Sequence, residues 1–317
     1  MDLIDKKIIC ELDLNARTPL TLLAKRLKVN RNVIDYRIKK LEENNIITKY
    51  ICSLNLGLLG FKTYKVYLKI NPSESHESLL KTIKNHKNII HCLKLEGTFD
   101  YSLAIAVKNI IELDNILMEL KQQFPKIIKE YTVSIVVYSK IFKLHKLLLG
   151  QTKELPKIEK YSLEEKKITL DKKDLLILKT LSQHANLPLT ILAQKTNLSL
   201  DIVKYRIKEL SKQLITSYRI TFDIVKIGYY HYLILLRIKQ ATKQDEQKLV
   251  TWCALKNNIL YCTKRIGNFD FEINVAITDI QDLNKFLSEL KKEFGHILES
   301  YETNLATSLL KLDYVPL

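Results

Sequence analysis

The sequence ARTPLTLLA at residues 16–24 recurs as ANLPLTILA at residues 185–193. The similarity extends without a gap over residues 16–41 and 185–210, where 11 of 26 positions are identical. Further matches, shifted by a residue or two, follow along both halves, such as GTFD at 97–100 and GNFD at 267–270. A period of about half the chain is far longer than a solenoid repeat, so each copy is predicted to be a complete folding unit.

Each copy opens with a pattern of three short helices. An apolar stripe marks the first helix, a proline marks the start of the second, and Asn30 or Ser199 stands where it can cap the third. A tight turn between the last two helices is typical of a helix-turn-helix. The β-branched stretches at residues 48–54 and 216–222 are then expected to form a wing or a connecting strand.

The rest of each copy alternates in the order β-α-β-β-α-β, with Gly97 or Gly267 at the turn of a central hairpin. That order is typical of a ferredoxin-like domain, so the predicted fold class is α+β. We expect residues 139–150 to pack on the first ferredoxin-like sheet as a terminal extension. The predicted domains are a winged helix-turn-helix at 1–53, a ferredoxin-like domain at 54–150, a linker at 151–168, a second winged helix-turn-helix at 169–222 and a second ferredoxin-like domain at 223–317.

Composition favours a nucleic-acid partner. The net charge is +16, and the net charge of the second copy falls entirely on residues 169–222, which carry +5, whereas residues 223–317 are neutral. A lysine-rich composition alone could produce such basicity, because only eight of the 51 cations are arginines. The position of the charge beside a helix-turn-helix is the stronger indication.

Other features narrow the class of protein. The apolar runs are strand-sized, and the first residues lack a basic leader, so no membrane segment or secretory signal is expected. The five cysteines are scattered and the seven histidines do not recur at matched positions. We therefore predict a reduced, cytoplasmic chain with no cofactor and no metal site.

The two copies resemble the Lrp/AsnC family of transcription regulators, also called feast/famine regulators. The resemblance rests on the order and spacing of short motifs, found twice: Asp2 and Asp5, Leu22 to Ala24, Arg37 to Glu42, Gly60, and Gly97 with Asp100 in the first copy, and Asp171, Asp174, Arg206 to Leu210, Gly228, and Gly267 with Asp270 in the second. It implies a DNA-binding winged helix followed by a ferredoxin-like (RAM-like) domain that dimerises and often binds an amino acid or another small effector. Two copies in one chain depart from the usual single copy and suggest a covalent pseudo-dimer, with further homo-oligomerisation left open.

The third helix of each copy is the predicted DNA-reading helix. On a helical wheel of residues 31–43 the apolar side chains gather on one side, and the polar ones form the opposite arc. Arg31, Asn32 and Asp35 are expected at base edges, and Tyr36, Lys39 and Lys40 at the DNA backbone. For Arg37, a phosphate contact and an internal ion pair remain alternatives. The full predicted DNA-binding set is Asn30, Arg31, Asn32, Asp35, Tyr36, Arg37, Lys39, Lys40, Ser199, Asp201, Lys204, Tyr205, Arg206 and Lys208.

The second reading helix has Leu200 and Asp201 in place of Arg31 and Asn32, so its base reading is expected to be weaker or different. Two unequal helices on one duplex would favour an imperfect palindrome.

The repeated Gly-x-x-Asp turns have two interpretations. One is structural: glycine supplies a positive φ and aspartate caps the turn. The other follows from the resemblance, which implies that these turns border an effector pocket. The predicted effector-binding set is Gly97, Asp100, Ser134, Gly267, Asp270 and Asn304.

Two other classes of function remain as alternatives. Siroheme decarboxylases share this two-part architecture, and such an enzyme would require a tetrapyrrole-sized cavity with cationic and histidine side chains. An effector sensor without DNA binding would bind DNA weakly and without sequence preference. A regulator that is not an enzyme is the favoured hypothesis.

Overall fold

The computed structural model describes residues 1–142, 144–150, 159–162 and 168–316. The chain folds into two compact units, and each unit takes segments from both copies. The first, which we call the helix-turn-helix unit, comprises Met1–Asn55, Phe142–Ile158 and Ile168–Tyr229. The second, which we call the barrel unit, comprises Leu56–Ile141, Glu159–Lys167 and Tyr230–Leu317.

The helix-turn-helix unit contains the three predicted helices of each copy. They are α1 (Leu3–Leu14), α2 (Leu20–Leu27) and α3 (Arg31–Glu43), and α7 (Lys172–Gln183), α8 (Leu189–Thr196) and α9 (Leu200–Gln213). The first helix of each copy begins with a capping box, in which Asp2 or Asp171 accepts a backbone N–H from the third helical residue.

The strand after each third helix does not form a separate wing. Instead β1 (Ile47–Leu54) pairs antiparallel with β7 (Ile215–Phe222), so the two copies share one two-stranded sheet. Ile51 lies opposite Arg219 at the middle of this ladder. The sequence predicts the strands but not their partner, because the residue pattern of a strand is the same whichever strand it pairs with.

The predicted extension at residues 139–150 is partly corrected. The strand β5 continues to Ile141, but the following residues join the helix-turn-helix unit, where α6 (His145–Leu149) packs against α1. The buried side chains of Leu144 and Leu148 and a hydrogen bond from the Leu144 N–H to Asp13 Oδ2 (3.3 Å) hold it there. Burial of these leucines on α1 is the physical reason for the difference.

The barrel unit contains the predicted β-α-β-β-α-β order twice. The first copy supplies β2 (Lys62–Ile70), α4 (Glu77–Asn85), β3 (Ile89–Gly97), β4 (Tyr101–Val107), α5 (Ile110–Gln123) and β5 (Ile128–Ile141). The second supplies β8 (Tyr230–Ile238), α10 (Lys243–Leu255), β9 (Ile259–Gly267), β10 (Phe271–Ile277), α11 (Ile280–Phe294) and β11 (Leu298–Leu312). The ferredoxin-like topology is thus confirmed in both copies.

The strands of the two copies join into one closed antiparallel sheet. The order is β2-β4-β3-β11-β8-β10-β9-β5, and β5 returns to pair with β2. In the first copy, one face of the strands packs beneath the helices, where Val66 of β2 and Leu103 of β4 join Leu117 of α5 in one apolar cluster. The alternate residues point into the barrel.

The predicted linker at 151–168 lies mostly outside the described residues. Within it, β6 (Glu159–Ser162) pairs with the end of β5. All five cysteines are buried and none is in a disulfide. In the described part of the chain, no helix combines the length and the apolar character that crossing a bilayer requires.

Candidate nucleic-acid interface

The turn between α2 and α3 is built by local sequence. Pro19 precedes α2, Lys28 ends it in the left-handed conformation (φ 55°), and the Asn30 side chain accepts the Asn32 N–H at 2.8 Å. A side-chain oxygen at this position satisfies one of the free N–H groups at the start of a helix. These contacts fix where α3 begins.

The two sides of α3 differ as the helical wheel predicts. Ile34, Ile38 and Leu41 are buried, so they anchor the helix. The opposite arc is open to solvent, and its exposed side chains are those of Arg31, Asn32, Tyr36, Lys39 and Lys40. Tyr36 is 64% exposed, which is unusual for a large aromatic residue and suits a surface that meets a ligand.

Arg37 belongs to the internal framework. Its Nη1 lies 2.6 Å from Asp2 Oδ2 and 2.8 Å from Asp5 Oδ1, the two acids that cap α1. Arg206 repeats the arrangement in the second copy. Its Nη1 lies 2.8 Å from Asp171 Oδ2 and 3.3 Å from Asp174 Oδ1. These contacts favour the ion-pair alternative for Arg37. Arg206 makes the same ion pairs, and its DNA-binding role stays a prediction.

Asp35 is partly engaged on the surface of α3. Its Oδ2 accepts a hydrogen bond from Lys39 Nζ at 2.8 Å, one helical turn away. Both side chains are well exposed, so the pair contributes little to stability and can open when another partner approaches.

The second predicted reading helix, α9, has the same frame and a different first turn. Ser199 Oγ accepts the Ile202 N–H at 3.3 Å, and Val203 and Leu210 are buried. The side chains of Asp201, Lys204, Tyr205 and Lys208 are exposed, and Tyr205 is 62% exposed. The exposed tyrosine therefore occurs on both helices, whereas the arginine and asparagine occur on one.

Two polar contacts that the sequence analysis missed join the helix-turn-helix motifs. Arg17 Nη1 donates to the Ala185 carbonyl at 2.6 Å, and its guanidinium lies 5.3 Å from the centroid of the Tyr218 ring. Asp13, fully buried, accepts from Arg219 through Nη2 at 2.6 Å and Nε at 2.8 Å. We call Asp13 and Arg219 the axial ion pair.

The residues of the predicted effector site come together across the two copies. Asn304 pairs with Gly97, and Ser134 pairs with Gly267, where strands of different copies meet. A β-carbon at Gly97 would lie 2.7 Å from the Thr303 carbonyl oxygen, so glycine permits this close approach of strands. Asn304 Oδ1 also accepts the Phe99 N–H at 3.0 Å.

The two aspartates of these turns hold neighbouring strands. Asp100 Oδ2 accepts the Ile70 N–H, and Asp270 Oδ2 accepts the Ile238 N–H, each at 2.8 Å. These bonds give both aspartates a structural role, but at the end of a neighbouring strand rather than as a cap of their own turn. The effector-binding role of this set stays a prediction.

A cluster of buried polar and charged residues lies inside the barrel and was not predicted from the sequence. Lys65 and Tyr67 of the first copy meet Arg265 and Glu272 of the second, and we call these four residues the barrel cluster. Glu272 is hydrogen-bonded by Tyr67, with Lys65 Nζ at 3.6 Å and Arg265 Nη1 at 3.4 Å. Arg265 also donates to Tyr67 Oη at 2.8 Å.

The charge state of the barrel cluster follows from these contacts. Burial opposes ionisation of Glu272, but Lys65, Arg265 and the hydrogen bonds outweigh it and lower its pKa to about 2. Burial also lowers the pKa of Lys65. The cluster was detectable in principle, because all four positions differ between the copies: their equivalents are Leu233, Leu235, Leu95 and Ser102.

Within the described residues, no group of three or more histidine, cysteine or acidic side chains is arranged to hold a metal ion.

Comparisons with known proteins agree with this arrangement. Residues 1–48 and 170–213 match a family model described as winged helix-turn-helix DNA-binding, and residues 64–145 match the Lrp/AsnC ligand binding domain. The chain is 32% identical over 120 residues to the HTH-type transcriptional regulator Ptr1 of Methanocaldococcus jannaschii, covering 38% of this chain and 80% of that protein. It is 28% identical over 130 residues to the proline dehydrogenase transcriptional activator of Rhodobacter capsulatus, covering 40% of this chain and 84% of the activator.

Among solved structures, the siroheme decarboxylase NirDL is similar over nearly the whole chain. The TM-score is 0.63 at 13% sequence identity, covering 98% of this chain and 93% of that one. At this identity the likeness shows a shared fold and nothing about activity.

Proposed function

Because the chain belongs to the Lrp/AsnC family of transcription regulators, we propose that it reads one operator with two unequal helices, α3 and α9. The chain is a DNA-binding regulator, and the proposal concerns how it recognises DNA. The observation that carries it is the outward face of α3, where Arg31, Asn32 and Tyr36 are exposed on a helix anchored by Ile34 and Ile38. A basic helix presented in this way suits the major groove.

The roles of the side chains follow from their chemistry. Arg31 would donate two hydrogen bonds to guanine, Asn32 would pair with adenine, and Asp35 would accept from cytosine after releasing Lys39. Tyr36, Lys39 and Lys40 would bind phosphates and hold the register. In α9, Lys204, Tyr205 and Lys208 keep phosphate-binding chemistry, but Leu200 offers only an apolar contact to a thymine methyl group.

The unequal first turns predict an operator of two related but different half-sites. Their spacing is expected to be about one turn of DNA or a multiple of it. The contacts to phosphate predict that affinity falls steeply as salt rises.

The experiment is selection of preferred duplexes from a random pool by the wild-type chain and by the variant Arg31→Ala with Asn32→Ala. The wild type should enrich an asymmetric site, and the variant should lose preference in one half-site, by about 1–3 kcal/mol for each base contact. A matched control is Lys81→Ala with Asn115→Ala, which removes similar exposed side chains from α4 and α5 in the barrel unit. Equal enrichment by wild type and variant would refute the role of α3.

We also propose that the chain acts as a covalent pseudo-dimer whose DNA binding responds to an amino acid or another small effector bound between the ferredoxin-like domains. The match of residues 64–145 to the Lrp/AsnC ligand binding domain supports this. A thermal shift screen with the twenty common amino acids tests it, since a ligand that binds the folded chain raises Tm. No shift with any of them at millimolar concentration would count against an amino-acid effector.

Regulation without catalysis is part of the proposal, and the regulators among the relatives support it. An enzyme of the siroheme decarboxylase type would instead bind an added iron tetrapyrrole with a change in its visible spectrum. An effector sensor without DNA binding would show weak binding that is indifferent to sequence.

A further inference from the structure

The two copies meet at pairs of equivalent contacts, and buried charges occur in only one contact of each pair. In the helix-turn-helix unit, Asp13 of the first copy and Arg219 of the second form the axial ion pair. Their equivalents in the other copy are Ser182 and Ile51, which carry no charge. Ser182 Oγ donates to a carbonyl of its own helix, that of Lys179, at 2.9 Å. The contact that would be symmetric in a homodimer is therefore asymmetric here.

The position of Arg219 lets this asymmetry distinguish the native pairing of the two copies from pairings of identical copies. Ile51 and Arg219 are equivalent residues of the two copies, and they face each other across the β1–β7 ladder. Pairing of two second copies from different chains would place Arg219 opposite Arg219. Like charges opposite each other in a ladder are destabilising. Pairing of two first copies would place Ile51 opposite Ile51 and leave each buried Asp13 without a cation.

The barrel cluster repeats the pattern in the second unit. Lys65 and Tyr67 are replaced in the second copy by Leu233 and Leu235, which are fully buried. Pairing of two first copies would bury Lys65 against the equivalents of its partners, Leu95 and Ser102, with no carboxylate. If two second copies paired, Glu272 would lose both Lys65 and the Tyr67 hydroxyl.

We propose that the axial ion pair and the barrel cluster are a pairing code, which makes the first copy accept only the second copy as its partner. The alternative, that they exist for stability, is weaker on physical grounds. A buried ion pair often adds nothing over apolar residues of similar size, whereas a buried charge without its partner is strongly unfavourable. Such groups therefore select between pairings more than they stabilise one.

The tether between the copies does not make this code redundant. It raises the effective concentration of the native partner to the order of millimolar, but two chains can still exchange copies when both are unfolded or newly made. The code removes the like-with-like products of that exchange. This inference concerns assembly and does not depend on the DNA contacts proposed above.

A single cysteine can report the pairing. Ile51→Cys faces Arg219 in the native ladder, but would face its own counterpart if two first copies paired. Directly opposite residues in an antiparallel pair are close enough for a disulfide. A disulfide-linked dimer through this cysteine is therefore a readout of like-with-like pairing.

The parent is the full chain with Ile51→Cys. The neutral chain adds Asp13→Ser, Arg219→Ile, Lys65→Leu, Tyr67→Leu, Arg265→Leu and Glu272→Ser, each residue being the one found at the equivalent position of the other copy. Both are unfolded in denaturant, refolded over a range of chain concentrations with oxidised glutathione, and examined on non-reducing gels. The wild type, whose five cysteines are buried, gives the background.

We expect no linked dimer from the parent above background, and roughly tenfold more from the neutral chain, rising with concentration. A neutral chain that stays unlinked while folded, or a parent that links as readily, would overturn the proposal. Circular dichroism establishes folding, and a neutral chain that cannot fold would also overturn it, because the charges would then be needed for stability itself.

A second measurement isolates the axial ion pair without the reporter. Asp13→Ser and Arg219→Ile should each lower Tm by roughly 5–20 °C, because each removes one member of a buried ion pair. The two together should recover most of that loss. A double variant no more stable than the worse single variant would mark the pair as a stabilising contact and contradict the code.

Discussion

The helices α3 and α9 are alike where they face the protein and different where they face solvent at their first turns. Arg37 and Arg206 make the same ion pairs with acids of the first helix of their copy. At the first turn, by contrast, the exposed Arg31 and Asn32 of α3 are replaced by Leu200 and Asp201 in α9. The two copies therefore agree at positions that packing constrains and differ at the exposed first turn, which holds the predicted base contacts.

The largest effect is expected where the copies differ in a buried charge. Arg219→Ile should lower the free energy of unfolding by about 3–5 kcal/mol, because Asp13 is then buried without a cation. The matched change at the equivalent position, Ile51→Val, should cost only about 0.5–1.5 kcal/mol. Denaturant unfolding of both variants measures the difference. Equal losses of unfolding free energy would show that the buried charge at Arg219 matters no more than the apolar side chain at Ile51.

The next effect concerns positions where the copies agree. Gly97→Ala and Gly267→Ala should each cost about 2–3 kcal/mol, since both glycines have positive φ and a β-carbon would meet a backbone oxygen at 2.7 or 2.6 Å. Gly150→Ala separates the two causes, because its φ is +79° and no atom of the described residues lies within 4 Å of the added carbon. Thermal melts compare the three, and a Gly150→Ala loss as large as the others would leave conformational strain as the whole cause.

The two predicted reading helices can be made more alike. Leu200→Arg with Asp201→Asn gives α9 the first turn of α3, so the chain should bind a symmetric duplex of two first half-sites more tightly by about 1–3 kcal/mol. Fluorescence anisotropy at fixed salt measures this affinity. A scrambled duplex is the control for the added positive charge, and an equal gain on that duplex would show only phosphate attraction.

The smallest effect is the pH dependence that comes from a single buried histidine, His91. Burial, and then the charge of Lys65, lowers the pKa of His91 to about 3. At this position the folded chain therefore binds fewer protons than the unfolded chain between pH 6.5 and 3. The contribution of neutral His91 to the free energy of unfolding is fully present above that range and is lost as the pH decreases through it.

His91→Gln should reduce this fall. We expect it to recover up to about 1 kcal/mol of the stability lost between pH 7 and 5.5. Urea unfolding at both pH values measures the slope, and an unchanged slope would assign the acid sensitivity to other groups. The equivalent position in the second copy is Tyr261, which has no imidazole. Burial also lowers the pKa of His231 in that copy, so its acid sensitivity should persist in the His91→Gln variant.

Much of the molecule was predictable from local patterns. The repeat, the proline before α2, the cap at Asn30 and the apolar stripe of α3 depend on neighbours within a few residues, and the structure confirms each of them. The order of strands and helices in the ferredoxin-like domains was predictable for the same reason. The DNA and effector contacts themselves stay predictions.

Other features involve residues far apart in the chain. The pairing of β1 with β7, the position of α6 on α1 and the closure of the barrel depend on which surfaces meet. Arg37 could have bound phosphate or acid until Asp2 and Asp5 were placed beside it.

The amino-acid pattern was sufficient for the duplicated fold and for the exposed face of α3, because hydrophobic period and capping act over short distances. Only the folded chain revealed that Asp13 meets Arg219 and that Lys65 meets Glu272. The order of residues leaves such partners, about 200 positions apart, unassigned, because the energy of a buried charge depends on what surrounds it in space.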